Sequence, residues 1–487
     1  MRIAALPPVH SLRFTFRKAH VNPRRRLALL CFAPLLVSAG MAAIAQDSAT
    51  ATASLAKVVS EAAKSYPSIR VSQEDLNASA ARLALARTAY LPRLDGLAQF
   101  NRGTRNNVFG SLLPQSVIPS MSGPVIGTNN GGSVWGSAAG LLVSWQPFDF
   151  GARHATVSAS AAARDRATAS LQRSELEIAA GAADAYLTEL AAISTRSAAA
   201  AAVENWETLR TSIHAVVAAQ LRPGADESRV EAEKAAAVSQ LALAEEAIET
   251  SKATVVKFAP ESGAGVLVSG RLNRDLPDLS GVGTTFSPSS NPAVAEQKAL
   301  VSQNTAQFRA IERSWVPQFN LEAAGYARGT GAMTNGQRLP GADGLAPDVG
   351  NYVAGVNITF PFLDFASIHA RESEQAANLR SARATEDLTT RSLQEQFSQA
   401  LAALKAAKTV AENTPAQVRS AQMALDQATA RYKTGLAAVD DLAQAQRLLV
   451  QAQIDDAVAR LNVWRAFLRI QFIRGDLQPF LDQAGRQ

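Results

Sequence analysis

The chain has 487 residues, 47% of them hydrophobic but only 6% aromatic, so much of its apolar content is alanine. Alanine favours helix yet buries little area per residue, which argues against one large compact core and for extended helix-on-helix packing. The formal charge of +6 comes from the N terminus: residues 1–45 hold seven basic side chains and no acid, leaving 41 basic against 42 acidic residues after them. With that segment gone the balance is −1, and no electrostatic case for nucleic acid remains.

Residues 1–45 read as a signal peptide. "NPRRR" (22–26) is a basic region, "LALLCFAPLLVSAG" (27–40) an apolar one, and Ala43-Ile44-Ala45 a small-residue cleavage site. The apolar run is short for a bilayer span, and no later run of about 18 apolar residues appears. The 21 residues before Asn22 are long for such a segment, which suggests a translation start further downstream. Cys31, the only cysteine, lies within it. The mature chain is thus expected to have no disulfide, no reactive thiol and no cysteine metal site. No cofactor and no metal is expected.

The remaining sequence is written twice. Pro67 and Pro292, and Pro92 and Pro317, are both 225 apart. Phe150 and Phe365, and His154 and His369, are 215 apart; Pro147 and Pro361 are 214 apart; Gly224 and Gly435 are 211 apart. Such ordered punctuation marks a tandem duplication, with repeats at 46–258 and 292–475, a connecting linker at 259–291 and a tail at 476–487.

Each repeat opens on a helix with proline at its first position, 67–90 and 292–315. Asn291 is a good N-cap for the second and Tyr66 a poor one for the first. Strands are predicted at 93–102 and 133–145, then at 318–327 and 351–360, each pair flanking a polar loop. In the last strand Tyr352, Ala354, Val356, Ile358 and Phe360 share one face. Tyr352, Val356, Ile358 and Phe360 are expected to meet lipid. In the first repeat Trp135, Ser137, Ala139, Leu141, Val143 and Trp145 share a face with tryptophan at both ends, as suits two membrane interfaces. About ten residues is the length of a tilted membrane strand.

Long helices follow, at 152–258 with a tip near 224 and at 366–475 with a tip near 435. About 70 residues at 1.5 Å rise extend roughly 100 Å. Apolar positions recur at threes and fours, as at Trp206, Leu209, Ile213 and Val216, which is coiled-coil spacing. Pro415 is expected to kink or locally break its helix.

Helix, strand, loop, strand, long helix, tip and helix, written twice behind a signal peptide, resemble the TolC-like outer-membrane efflux protein family. The most specific marks are "RYKTGLAAVDDLAQAQRLLVQAQ" (431–453), the two strand-to-helix junctions and "NP" at 291–292. The resemblance implies an α+β membrane protein: a homotrimeric channel with a shared 12-stranded outer-membrane β-barrel, four strands per chain, above a periplasmic α-helical barrel of coiled-coil hairpins. Its location would be the outer membrane of a Gram-negative bacterium. Its partners would be outer-membrane lipid, a periplasmic adaptor and an inner-membrane pump, in efflux or type I secretion. Four strands alone leave open edges, which lipid does not tolerate.

The resemblance also assigns roles at the tips. Gly224 and Gly435 take the places of the adaptor-docking glycines, where glycine permits a left-handed backbone and close approach of another chain. Tyr432, Asp440 and Asp441 fall in the periplasmic gate, with Asp441 forming an acidic ring around the axis and Asp226 and Glu227 able to share that role. Ala437, Arg229 and Val230 depart from the family pattern, so the closing contacts are expected to be this chain's own.

Two other classes compete with this one. Catalysis lacks a motif: beyond residue 45 there are three histidines, His154, His214 and His369, spread over helices, and no nucleophile or phosphate-loop signature in a suitable context. A periplasmic coiled-coil scaffold or adaptor without its own pore would explain the helices but not the paired strands.

Overall fold

The structure is a computed structural model that describes residues 53–104, 132–220, 223–262, 266, 272, 274–333, 337–360 and 363–485. The expected signal peptide, the first polar loop and part of the linker lie outside the described residues. Elements run α1 (Leu55–Ser65), α2 (Pro67–Thr88), β1 (Arg93–Thr104), β2 (Ser133–Phe148), α3 (Ala152–Ala218), α4 (Gly224–Phe258), α5 (Pro292–Glu312), β3 (Gln318–Thr330), β4 (Val349–Thr359), α6 (Phe365–Lys433), α7 (Val439–Arg474) and α8 (Gln478–Ala484). The short helices α1 and α8 were not anticipated from sequence. Phe360, expected to end the last strand, lies one residue past β4.

The four strands form one antiparallel sheet in the order β1-β2-β3-β4. Strand pleating separates two faces. One carries Leu94, Phe100, Leu141, Trp145, Leu321, Tyr352, Val356 and Ile358, all exposed. On the other face Leu97, Ala138, Leu142, Ala324, Tyr326 and Val353 pack together, beside polar Gln99, Glu322 and Asn357. An apolar face turned outward and a mixed one turned inward fit a barrel wall in lipid.

The helices pack as hairpins, α3 with α4 and α6 with α7. Among the described residues no helix is long and apolar enough to cross a membrane. Near the linker, Trp464, Phe467 and Phe480 cluster at centroid distances of 6.1–6.5 Å with Leu187, Leu190 and Val58 in one buried core. The Trp464 indole Nε1 donates to the Asp275 carbonyl at 2.9 Å. Asn291 caps α5 by accepting from the Ala293 N–H at 2.9 Å, and its amide donates to the Ile473 carbonyl at 2.8 Å. The Asn-Pro pair thereby ties the start of the second repeat to the end of α7. Tyr66, as expected, gives α2 no side-chain cap.

Pro415 does not break its helix: α6 runs continuously from Phe365 to Lys433 around it. The Ala411 carbonyl loses its helical donor, and beside it Thr414 Oγ1 donates to Asp456 Oδ1 of α7 at 2.7 Å. That cross-helix contact holds the two helices together at the proline.

Candidate functional site

The turn ends of the two hairpins come together at one end of the molecule. Beneath them Trp206, Ile213, Val230, Ala237, Val439 and Ala443 are buried in one cluster, with Leu209 and Tyr432 against it. Helices α3, α4 and α7 and the end of α6 therefore share an apolar floor.

The two turns are built differently. In the second, Gly435 adopts φ +81°. Its N–H donates to the Tyr432 carbonyl at 3.0 Å and the Leu436 N–H to the Arg431 carbonyl at 2.8 Å, the bond pair of a Schellman stop. In the first, the left-handed residue among those described is Gln220, φ +59°, while Gly224 is the first residue of α4 behind Pro223. The expectation that both glycines serve a left-handed turn is thus corrected at Gly224. Proline at the N-cap and a helix that begins at once leave it nothing left-handed to do. A Cβ built there would meet no atom within 4 Å, so the surface it offers is open.

Acids cluster where the return helices begin, Asp226 and Glu227 in α4 and Asp440 and Asp441 in α7. Four free N–H groups and the positive end of the helix dipole favour them there. Asp441 Oδ2 accepts from the Ala438 N–H at 3.3 Å, so this carboxylate also caps α7.

Several contacts among the described residues cross between the hairpins. Tyr432 Oη donates to Asp226 Oδ2 at 3.4 Å, and Arg229 Nε meets Asp440 Oδ1 at 3.3 Å. Glu233 adds a bridge, at 3.5 Å from Arg229 and 3.4 Å from Arg447. Within the first hairpin His214 Nδ1 lies 2.5 Å from Glu227, and Glu207 takes hydrogen bonds from Arg210 and Lys234 that lower its carboxyl to about 2. Sequence reasoning singled out Tyr432, Asp440 and Asp226, and Arg229 only as a departure from the family pattern, but paired none of them. Arg229 and Asp440 are separated by about two hundred residues, and no local spacing announces such a pair. Ala437 and Val230, where the family pattern is broken, are buried. Between the hairpins an open cleft of ≈ 770 Å³ is lined by Leu209, Ser212, Tyr432, Gly435 and Leu442 among others.

At the opposite end, each strand pair meets its helix at a junction. In the first repeat the Arg153 guanidinium pairs through Nε with Asp149 at 2.8 Å, donates through Nη1 and Nη2 to the Ala89 and Pro147 carbonyls at 3.1 and 3.2 Å, and lies over the Tyr90 ring. In the second, a cavity of ≈ 600 Å³ is lined by Trp315, Phe360, Phe365, Ile368 and His369.

The family model described as outer membrane efflux protein matches residues 58–259 and 288–476. The chain belongs to the outer membrane efflux protein family. The two matched segments coincide with the two repeats. Solved structures with a similar fold include the Campylobacter jejuni CmeC outer membrane channel (TM-score 0.71, 15% identity, 86% of this chain and 85% of that one). Others are the Vibrio cholerae outer membrane protein VceC (0.70, 18%, 87% and 96%) and the open state of the Neisseria gonorrhoeae MtrE outer membrane channel (0.68, 18%, 87% and 89%). No curated protein matches in sequence. The protein is an outer-membrane efflux channel, located in the outer membrane and reaching into the periplasm; its family is one of channels rather than enzymes. The scaffold alternative falls with that assignment. In the single chain of this efflux channel the apolar residues Tyr352, Val356, Ile358 and Phe360 are exposed, at 89%, 64%, 46% and 49%.

Proposed function

We propose that three copies close the sheet into one barrel, that the helices form a periplasmic tunnel, and that the contacts at the tip hold that tunnel shut until a partner binds. The observation that carries this reading is the pair of cross-hairpin contacts, Arg229 with Asp440 and Tyr432 with Asp226. They lie at the tips, where separating the hairpins would widen the opening. Both are exposed or half-buried, so they are weak enough for a docking partner to replace.

In this reading a periplasmic adaptor approaches the exposed turns at Gly224 and Gly435, and an inner-membrane pump behind it supplies the cargo. Conduction is passive. Asp441 from three chains forms an acidic ring that favours cations, with Asp440 pulled aside by Arg229. Drug efflux, metal efflux and type I secretion would all use the same conduit.

The test is reconstitution of purified protein in planar lipid bilayers. The reading expects a detergent-stable trimer that inserts and gives discrete, cation-selective conductance steps, mostly closed at rest. A trimer that inserts and never conducts would contradict it.

A further inference from the structure

Among the described residues, strands β1 and β4 have no partner on their outer edges, and both are rich in exposed apolar side chains, including Leu94, Phe100, Tyr352 and Val356. The duplication says what should cover them. Partner residues in the β1–β2 pair have numbers that add to 237, as Arg93 with Ser144, and those in the β3–β4 pair to 677, as Gln318 with Thr359. The two totals differ by 440. With β1 and β3 offset by 225, β2 and β4 must be offset by 215, the same offset as Phe150 to Phe365. The Pro147–Pro361 offset of 214 departs by one because the β2–β3 register shifts between Trp145 and Phe148.

Among the described residues, the strand junction between repeats inside the chain is β2–β3, where partner numbers add to 466 above that shift, as Leu141 with Gly325. The next junction outward is β4 against β1 of another copy. Carrying β2 forward by 215 and β3 back by 225 gives a register total of 456. Faces agree in this register: Val356 would oppose the partner subunit's Phe100, and Asn357 the partner subunit's Gln99. A slip of one residue would set lipid-facing against inward-facing side chains along the whole edge.

The same transfer applies to the helices. Inside the chain α3 meets α5 through Arg173 and Glu296, 3.1 Å apart. Their equivalents are Leu388 on α6 and Val71 on α2. Both are exposed in the single chain, at 67% and 62%, and so are free to meet each other across a junction between copies.

We propose that a second copy of this chain docks its β1 edge on β4 in the register whose residue numbers add to 456, with the partner subunit's Val71 packed against Leu388. The junction between copies thus repeats the junction between repeats, with an apolar contact replacing an ion pair. This rests on the shared-barrel reading above.

The test uses a Cys31→Ser background, with Asn357→Cys combined in turn with Gln99→Cys, Leu97→Cys or Asn101→Cys. Oxidation is followed by non-reducing gels. The inference expects the Asn357–Gln99 combination to shift to covalent dimer and trimer ahead of the other two. Preferential linking of a neighbouring combination would overturn the register while leaving the shared barrel standing. A folded oligomer that links in none of them would overturn the edge pairing, and a folded monomer would overturn the shared barrel too. For the helix contact, Leu388→Arg should lower the trimer's dissociation temperature, and adding Val71→Glu should restore it by rebuilding the internal ion pair between copies. A Leu388→Arg trimer as stable as the parent, or a double variant no better than the single, would overturn that contact.

Discussion

Replacing Arg229 with alanine should raise the open probability of the channel. The Arg229–Asp440 contact spans 3.3 Å between side chains that are 45% and 69% exposed, a setting in which an ion pair contributes about 0.2–1 kcal/mol. Glu233 is not stranded by the change, because Arg447 remains 3.4 Å away. Taking about 0.5 kcal/mol per subunit and three subunits opening together gives about 1.5 kcal/mol, or roughly a tenfold shift toward the open state. Screening shortens to about 3 Å at 1 M salt, so the difference between variant and parent should shrink there. Single-channel recording at low and high salt measures both effects, with Arg391→Ala as control, since it removes an exposed pair within α6 alone. An unchanged open probability in Arg229→Ala, or a rise that ignores salt, would refute the reasoning.

Other outcomes follow from the same geometry. Gly435→Ala forces a side chain into φ +81° and should cost about 1–2 kcal/mol per subunit, whereas Gly224→Ala, in an ordinary helical start, should be neutral or slightly stabilising in thermal melts. Trp464→Ala empties the fully buried aromatic cluster and should destabilise by about 3–5 kcal/mol in denaturant titration. Burial raises the Glu189 carboxyl above its ordinary 4.5, though the Val266 backbone and Lys252 oppose the shift. The folded state therefore binds this proton more tightly than the unfolded one; its stabilisation is present below 4.5 and lost as pH rises through the raised value. Glu189→Gln should accordingly melt higher than the parent near neutral pH, with the gap closing in acid. Asp441→Ala should lose cation preference and divalent block in single-channel current while trimer assembly persists.

Much of this architecture could be read before any coordinates. The repeat offsets located both strand pairs and both hairpin turns, because prolines and glycines mark chain breaks that alanine-rich helices cannot hide. Asn291 announced its own cap. What escaped was set by contacts distant in sequence. Helices α1 and α8 are short, and what holds them is burial of Val58 and Phe480 against α3 and α7. Pro415 is carried inside a continuous helix beside the Thr414–Asp456 bond, a local rule overridden by a partner 42 positions away. At the tips the acids were legible from their place in the first turn of each return helix. The arginine that clamps one of them was visible only as a departure from pattern, and Gly224 was assigned a backbone it does not adopt. A repeated glycine in two turns does not imply a repeated conformation.

The most direct test of the account is capture at the tip in living cells. Ala437 is buried at 9% exposure, while its neighbour Leu436 is 72% exposed, so a single cysteine belongs at Leu436 in the Cys31→Ser background. Crosslinking in intact cells followed by mass spectrometry should yield an adduct with a periplasmic adaptor that presents a helical hairpin. A cysteine readily labelled by a small thiol reagent that captures no adaptor would contradict the docked, tripartite conduit.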